Sequence, residues 1–132
     1  MTISGIDFVV YEVSDLAQAV GFYRDIVGLK LDHVIEEGDW AEFEVGNMTL
    51  ALAGPKVARW GVPYGGKTGA DGAFKGEGVV ALAVDDLKAA VQELKAKGVR
   101  FALEFADSTV CYFAVFTDPD GNRLWLHQRY AH

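Results

Sequence analysis

Apolar and polar positions along the chain change period in the same order twice. Asp7–Val13 (DFVVYEV) and Val79–Val84 (VVALAV) are rich in β-branched residues and read as strands. After the first run, Leu16, Val20 and Tyr23 fall at i, i+4 and i+7, one stripe of an amphipathic helix; Leu87, Val91 and Leu94 repeat it after the second. Asp15 is placed to cap the first helix, with Gln18 as a partial capping box, and Gly28 and Gly98 stand where left-handed C-caps are expected. Three further strands follow each helix. They are Lys30–Ile35, Trp40–Val45 and Met48–Ala53 in the first half, and Arg100–Glu104, Cys111–Phe116 and Arg123–His127 in the second. Gly46-Asn47 and Gly121-Asn122 are turn signals before the last strand of each. Each half therefore reads β-α-β-β-β.

The two halves are related by an offset of 71 residues, which matches Val13-Ser14-Asp15-Leu16 to Val84-Asp85-Asp86-Leu87. The expected class is α+β: one domain over residues 1–132, with module one at 5–54, a loop at 55–76 and module two at 77–128. A four-stranded sheet can cover one face with its own helix; the other needs a partner module or a ligand. The expected arrangement is a curved mixed-sheet cup with helices outside. Strand parity assigns Val9, Tyr11, Val13, Val80, Leu82 and Val84 to the helix faces. It assigns Phe8, Val10, Glu12, Val79, Ala81 and Ala83 to the concave face. The loop holds Pro55, Pro63 and six glycines, and reads as lacking regular structure. Its Trp60, Tyr64 and Phe74 are expected to pack over the cup mouth or against a partner chain.

Composition narrows the function classes. The formal net charge is −7, from 19 acidic and 12 basic residues, which argues against a nucleic-acid partner and favours solubility or a cationic ligand. The single cysteine, Cys111, lies in an apolar run, where it reads as a small core residue of a reduced protein. No apolar run approaches the ~20 residues of a membrane span, and Met1-Thr2-Ile3-Ser4 lacks the pattern of a signal peptide. A cytoplasmic location without membrane partners is expected.

Three stretches carry a family resemblance: "VSDLAQAVGFYRDIVGLKL" at Val13–Leu31, "VDDLKAAVQELKAKGVRF" at Val84–Phe101, and "DPDGN" at Asp118–Asn122. In this order the chain resembles the vicinal oxygen chelate superfamily of glyoxalase I, bleomycin-resistance proteins, fosfomycin-resistance enzymes and extradiol dioxygenases. The resemblance implies cups that are often completed by a homodimer. It also implies metal ligands at four inward positions. Counting seven residues back from Asp15, by the repeat offset, and four residues on from each turn glycine, those positions are Phe8, Val79, Leu50 and Trp125. None offers the lone pair that a divalent ion requires. No metal and no cofactor are therefore expected.

The remaining polar groups leave alternatives open. Trp125 either fills the cup or forms a stacking wall. His127 shares its face and is either an acid–base group or a strand-end histidine. Glu12 either meets a ligand's positive charge or sits at the sheet rim. His33 and His132 read as surface residues, and "YGGKTG" as a chance echo of a phosphate loop. The favoured reading is a sequestration or resistance-type protein that binds a small apolar or aromatic ligand, with a cationic one as a variant of the same reading. Its site would comprise Phe8, Val10, Glu12, Leu50, Trp60, Val79, Trp125 and His127, with no catalytic group. The alternative is a glyoxalase- or dioxygenase-like enzyme, either metal-free with His127 as acid and base or with displaced metal ligands.

Overall fold

The computed structural model describes residues 1–4, 6–66 and 68–130. His132, and Lys67 of the phosphate-loop echo, lie outside the described residues. The chain divides into two compact units, 1–76 and 77–132.

The first unit runs β1 (Val9–Glu12), α1 (Leu16–Gly21), a π-helical turn (Phe22–Val27), β2 (Lys30–Ile35), β3 (Trp40–Val45) and β4 (Met48–Ala53), then a 3-10 helix at Pro55–Trp60. Its sheet has the order β1-β4-β3-β2, parallel only between β1 and β4. The second unit runs β5 (Val79–Ala83), α2 (Leu87–Ala96), β6 (Phe101–Asp107), β7 (Cys111–Thr117) and β8 (Arg123–Arg129). Its order, β5-β8-β7-β6, repeats the first, again with one parallel pair. The repeated β-α-β-β-β plan is thus realised as two open four-stranded sheets.

The caps follow the repeat. Asp15 Oδ1 accepts the Gln18 amide at 3.1 Å, and Asp86 Oδ1 accepts the Ala89 amide at 3.1 Å, each satisfying an otherwise orphan N–H. Gly28 and Gly98 end the helices at φ 87° and 90°, where a side chain would be strained. The first helix differs from a plain α-helix in widening to π geometry from Phe22. This turn brings Tyr23 to full burial, 5.9 Å from the Phe43 ring and 6.3 Å from that of Tyr11. α1 packs on β3 and β4, and α2 on β6, β7 and β8. Each unit therefore has its own core: Tyr11, Val13, Leu16, Val20, Phe43 and Leu52 in one; Leu87, Val91, Phe116, Leu124 and Leu126 in the other.

Three expectations are corrected. β1 begins at Val9, so Phe8 precedes the strand. The 55–76 segment is not without regular structure: it opens with the 3-10 helix, buries Val57, and closes a bridge between Thr68 and Phe74. Cys111 is half-buried at the start of β7, with its Sγ 3.0 Å from Ser108 Oγ, rather than in the core.

Candidate functional site

Each sheet has one face under its helix and one open face. In the second unit the open face is built by β5, β8 and β7. Ala81 is in register with Trp125, and Ala83 with His127; across β7, Val115 pairs with Trp125 and Phe113 with His127. The Trp125 and Phe113 rings are diagonal neighbours and stack, with centroids 4.9 Å apart and planes 14° apart. Both rings are half-buried, and Val79, further along the face, is 51% exposed. His127 extends the platform between Ala83 and Phe113. The sequence-predicted Val79, Trp125 and His127 thus share one face.

The turn before β8 holds this platform in place. Asp118 Oδ1 accepts the amides of Asp120 and Asn122, both at 2.9 Å, and its Oδ2 accepts the Asn122 side-chain amide at 2.9 Å. Asn122 Oδ1 in turn accepts the Gly78 amide at 2.8 Å, and the Arg123 amide donates to the Gly78 carbonyl at 2.7 Å. Asp118, Asp120 and Asn122 are all buried. A polar turn can be buried because its groups satisfy one another. The result is a clasp that sets the register of β5 on β8. On the opposite face, Gln128 accepts the Leu87 amide at 2.7 Å and so ties β8 to the start of α2.

In the first unit, Val10 and Glu12 share the open face with Ala51 and Ala53 of β4 and with Glu42 and Trp40 of β3. Phe8 meets the Trp40 ring edge-on at 5.6 Å and stays 46% exposed. Trp40 Nε1 donates to Glu42 Oε2 at 2.9 Å. Glu12 is committed to the chain itself: its carboxylate accepts the amides of Gly65 at 2.8 Å and Gly66 at 3.1 Å. Beside it, the Tyr64 hydroxyl donates to the Val13 carbonyl at 2.7 Å, and Tyr64 leans on Phe74 at 6.2 Å. Glu12, which the sequence offered as a rim residue or cation contact, here anchors the loop. Trp60 lies directly over Gly38, where an added Cβ would stand 2.6 Å from the indole, yet it remains 54% exposed.

Leu50 is misplaced in the sequence reading. It pairs with Val9 and Phe43, is only 2% exposed, and belongs to the helix face. The turn lengths explain this. β3 and β4 are joined by two residues, Gly46 and Asn47, whereas β7 and β8 are joined by the five-residue turn 118–122. The same count from the glycine therefore lands on opposite faces. Since Val9 pairs with Leu50 and its repeat partner Val80 pairs with Leu124, the counterpart of Trp125 is Ala51. The corrected set Phe8, Ala51, Val79 and Trp125 still holds no metal-ligating atom. Trp40, Glu42 and Phe113 were missed. Period-two parity from Trp40 would have joined the first two, but Phe113 needs the β7–β8 register.

Two repeated β-α-β-β-β modules, each with one open sheet face, define a glyoxalase-type scaffold. The chain belongs to the Glyoxalase/Bleomycin resistance protein/Dioxygenase superfamily, whose family model matches residues 5–126. Its fold is similar to that of a glyoxalase/bleomycin resistance protein/dioxygenase from Nocardioides, at 22% identity and a TM-score of 0.76, covering 98% of this chain and 85% of that one. It is also similar to TnmS3, an antibiotic binding protein from Streptomyces sp. CB03234, at 27% identity and a TM-score of 0.72, covering 98% and 99%. Among curated proteins, a metallothiol transferase FosB from Staphylococcus haemolyticus is 42% identical over 50 residues. That match spans 38% of this chain and 34% of the relative. Among the described residues, no helix is long and apolar enough to cross a membrane.

Proposed function

We propose that this protein binds a small, planar, largely apolar molecule and returns it unchanged, as a sequestration or resistance-type protein does. The observation that carries this reading is the Trp125–Phe113 stack on the open face of the second sheet. A flat, half-buried π-surface flanked by Val79, Ala81 and Ala83 stabilises a ring by stacking and by removing apolar area from water. His127 at its edge supplies one polar contact for orientation, and a cationic ring substituent gains further from the indole face. The likeness to an antibiotic-binding protein supports binding as the role. A homodimer in the cytoplasm is part of the same reading, on the family likeness.

The partial similarity to a metallothiol transferase favours a second reading, a metal-dependent enzyme. Against it stand Phe8, Ala51, Val79 and Trp125 at the positions that would hold the ion. A metal-free enzyme is disfavoured because the open face around His127 presents Ala83 and Phe113 as its cross-strand neighbours, with no carboxylate in register.

Trp125→Ala decides between platform and core. Tryptophan fluorescence is titrated with a panel of planar aromatics, an acridine and an anthraquinone among them. Loss of the platform weakens binding by about 1–3 kcal/mol, with the fold retained. If Trp125 serves only the core, stability falls by about 3–5 kcal/mol and affinity per folded molecule stays as it was. Product analysis by chromatography after incubation checks that the compound is released unaltered.

A further inference from the structure

On the first sheet, the geometry points to a transition-metal site at His33 and Glu42, oriented by Asp32, on residues other than the family's four inward positions. Three observations bring these residues together. First, His33 of β2 and Glu42 of β3 are register partners, and His33 Nε2 lies 3.6 Å from Glu42 Oε2. Second, the β2–β3 pairing shifts register between Leu31 and His33. In a regular strand Asp32 and His33 would project to opposite faces; such an irregularity re-aims a side chain. Here Asp32 Oδ2 reaches His33 Nδ1 at 2.7 Å. Third, the Trp40 indole donates to Glu42 Oε2, fixing the carboxylate toward the imidazole.

One ligating atom from each of the three residues lies within 4.8 Å of the others. The arrangement is that of a carboxylate–histidine–metal relay. Asp32 accepts the Nδ1 proton, sets the tautomer and turns Nε2 outward, while Glu42 supplies the oxygen that shares the ion. With Zn–N and Zn–O bonds of roughly 2.0–2.2 Å, two ligands on one ion stand roughly 3–3.5 Å apart, close to the Nε2–Oε2 spacing. One imidazole with carboxylate and water suits Zn²⁺, Ni²⁺ or Cu²⁺ rather than Mg²⁺ or Ca²⁺. Partial exposure of His33 and Asp32 gives an ion access from solvent, with water completing the shell. The net charge of −7 favours its approach.

The test is calorimetric titration of the whole, chelator-treated chain with Zn²⁺, on wild type and on His33→Ala, Glu42→Gln, Asp32→Asn and His127→Ala. Circular dichroism confirms that each variant folds. The expected result is one ion per chain, with binding abolished in His33→Ala and weakened at least tenfold in Glu42→Gln. Asp32→Asn retains the site with an affinity about 10–100-fold lower, as for a group that orients a ligand rather than binds the metal. His127→Ala binds as wild type does. Zinc uptake that survives His33→Ala, uptake lost in His127→Ala, or no saturable uptake at millimolar zinc overturns the proposal. Of these outcomes only loss in His127→Ala, which would put the ion beside Trp125, bears on the platform.

Discussion

Asn122 is 1% exposed and makes bonds that hold a site it does not line. Its Oδ1 takes the Gly78 amide one residue before Val79, and its own backbone and side-chain amides end on Asp118. Asn122→Ala removes the acceptor of the half-buried Gly78 N–H and one donor to Asp118 Oδ2. It should destabilise the protein by about 1–3 kcal/mol, read as a lower urea midpoint with an unchanged denaturant slope. A second residue-scale expectation concerns Tyr130, whose hydroxyl donates to Asp107. That bond, first among the causes, pushes the Tyr130 phenol up to about 12, and it holds the Asp107 carboxyl below its ordinary value together with the Thr109 amide. The signs differ. For Asp107, whose folded value is lowered, the stabilisation is present above the unfolded carboxylate range and is lost as pH falls through the folded value. For Tyr130, whose folded value is raised, it is present below the unfolded phenol value and is lost as pH rises toward about 12. Compared by absorbance titration of the phenols, Tyr130→Phe should lack one late-ionising step that the wild type shows.

At the scale of elements, the two modules use one plan with different joints. Both helices start on an aspartate cap and both end on a left-handed glycine; Asp15, Gly28 and Gly98 were legible because capping is a local matter of a few backbone groups. The strand faces were legible for β1, β5 and β8, since alternation carries its own parity. The face of β4 was not, because turn length sets the phase and the two turns differ by three residues. The 55–76 segment is an element in its own right, pinned by Glu12 at Gly65 and Gly66 and by Tyr64 at Val13. Glu12→Ala should release those two amides. Hydrogen exchange at Gly65 and Gly66 is then expected to accelerate, while the exchange of β4 amides is unaffected. Equal rates in both proteins would make the Glu12 anchor negligible.

At the scale of the whole molecule, binding of the kind proposed shows chiefly as added stability. A compound at about a hundred times its dissociation constant should raise the unfolding free energy by about 2.7 kcal/mol, if it binds only the folded chain. Thermal scans across the same aromatic panel measure this, and the shift should shrink in Trp125→Ala in step with the lost affinity. Membership of a superfamily that includes lyases, dioxygenases and binding proteins leaves the role to the side chains on the open faces. Here those include Trp125, Phe113, His127, Trp40 and Glu42.

By itself the sequence determined the repeat, the order of elements, the caps at Asp15, Gly28 and Gly98, and that Phe8, Val79 and Trp125 offer no ligating atom. Each depends on neighbours within a turn or two, or on what a side chain can chemically do. Tertiary structure alone decided the rest. The Phe113–Trp125 stack depends on the β7–β8 register, and the assignment of Leu50 to the core depends on the β1–β4 register. The Glu12 anchor joins residues 53 and 54 positions apart, and the Asp32–His33–Glu42 group depends on an irregularity in a strand pair. Pairing across the sheet places these residues together, and no local period encodes which partner lies opposite.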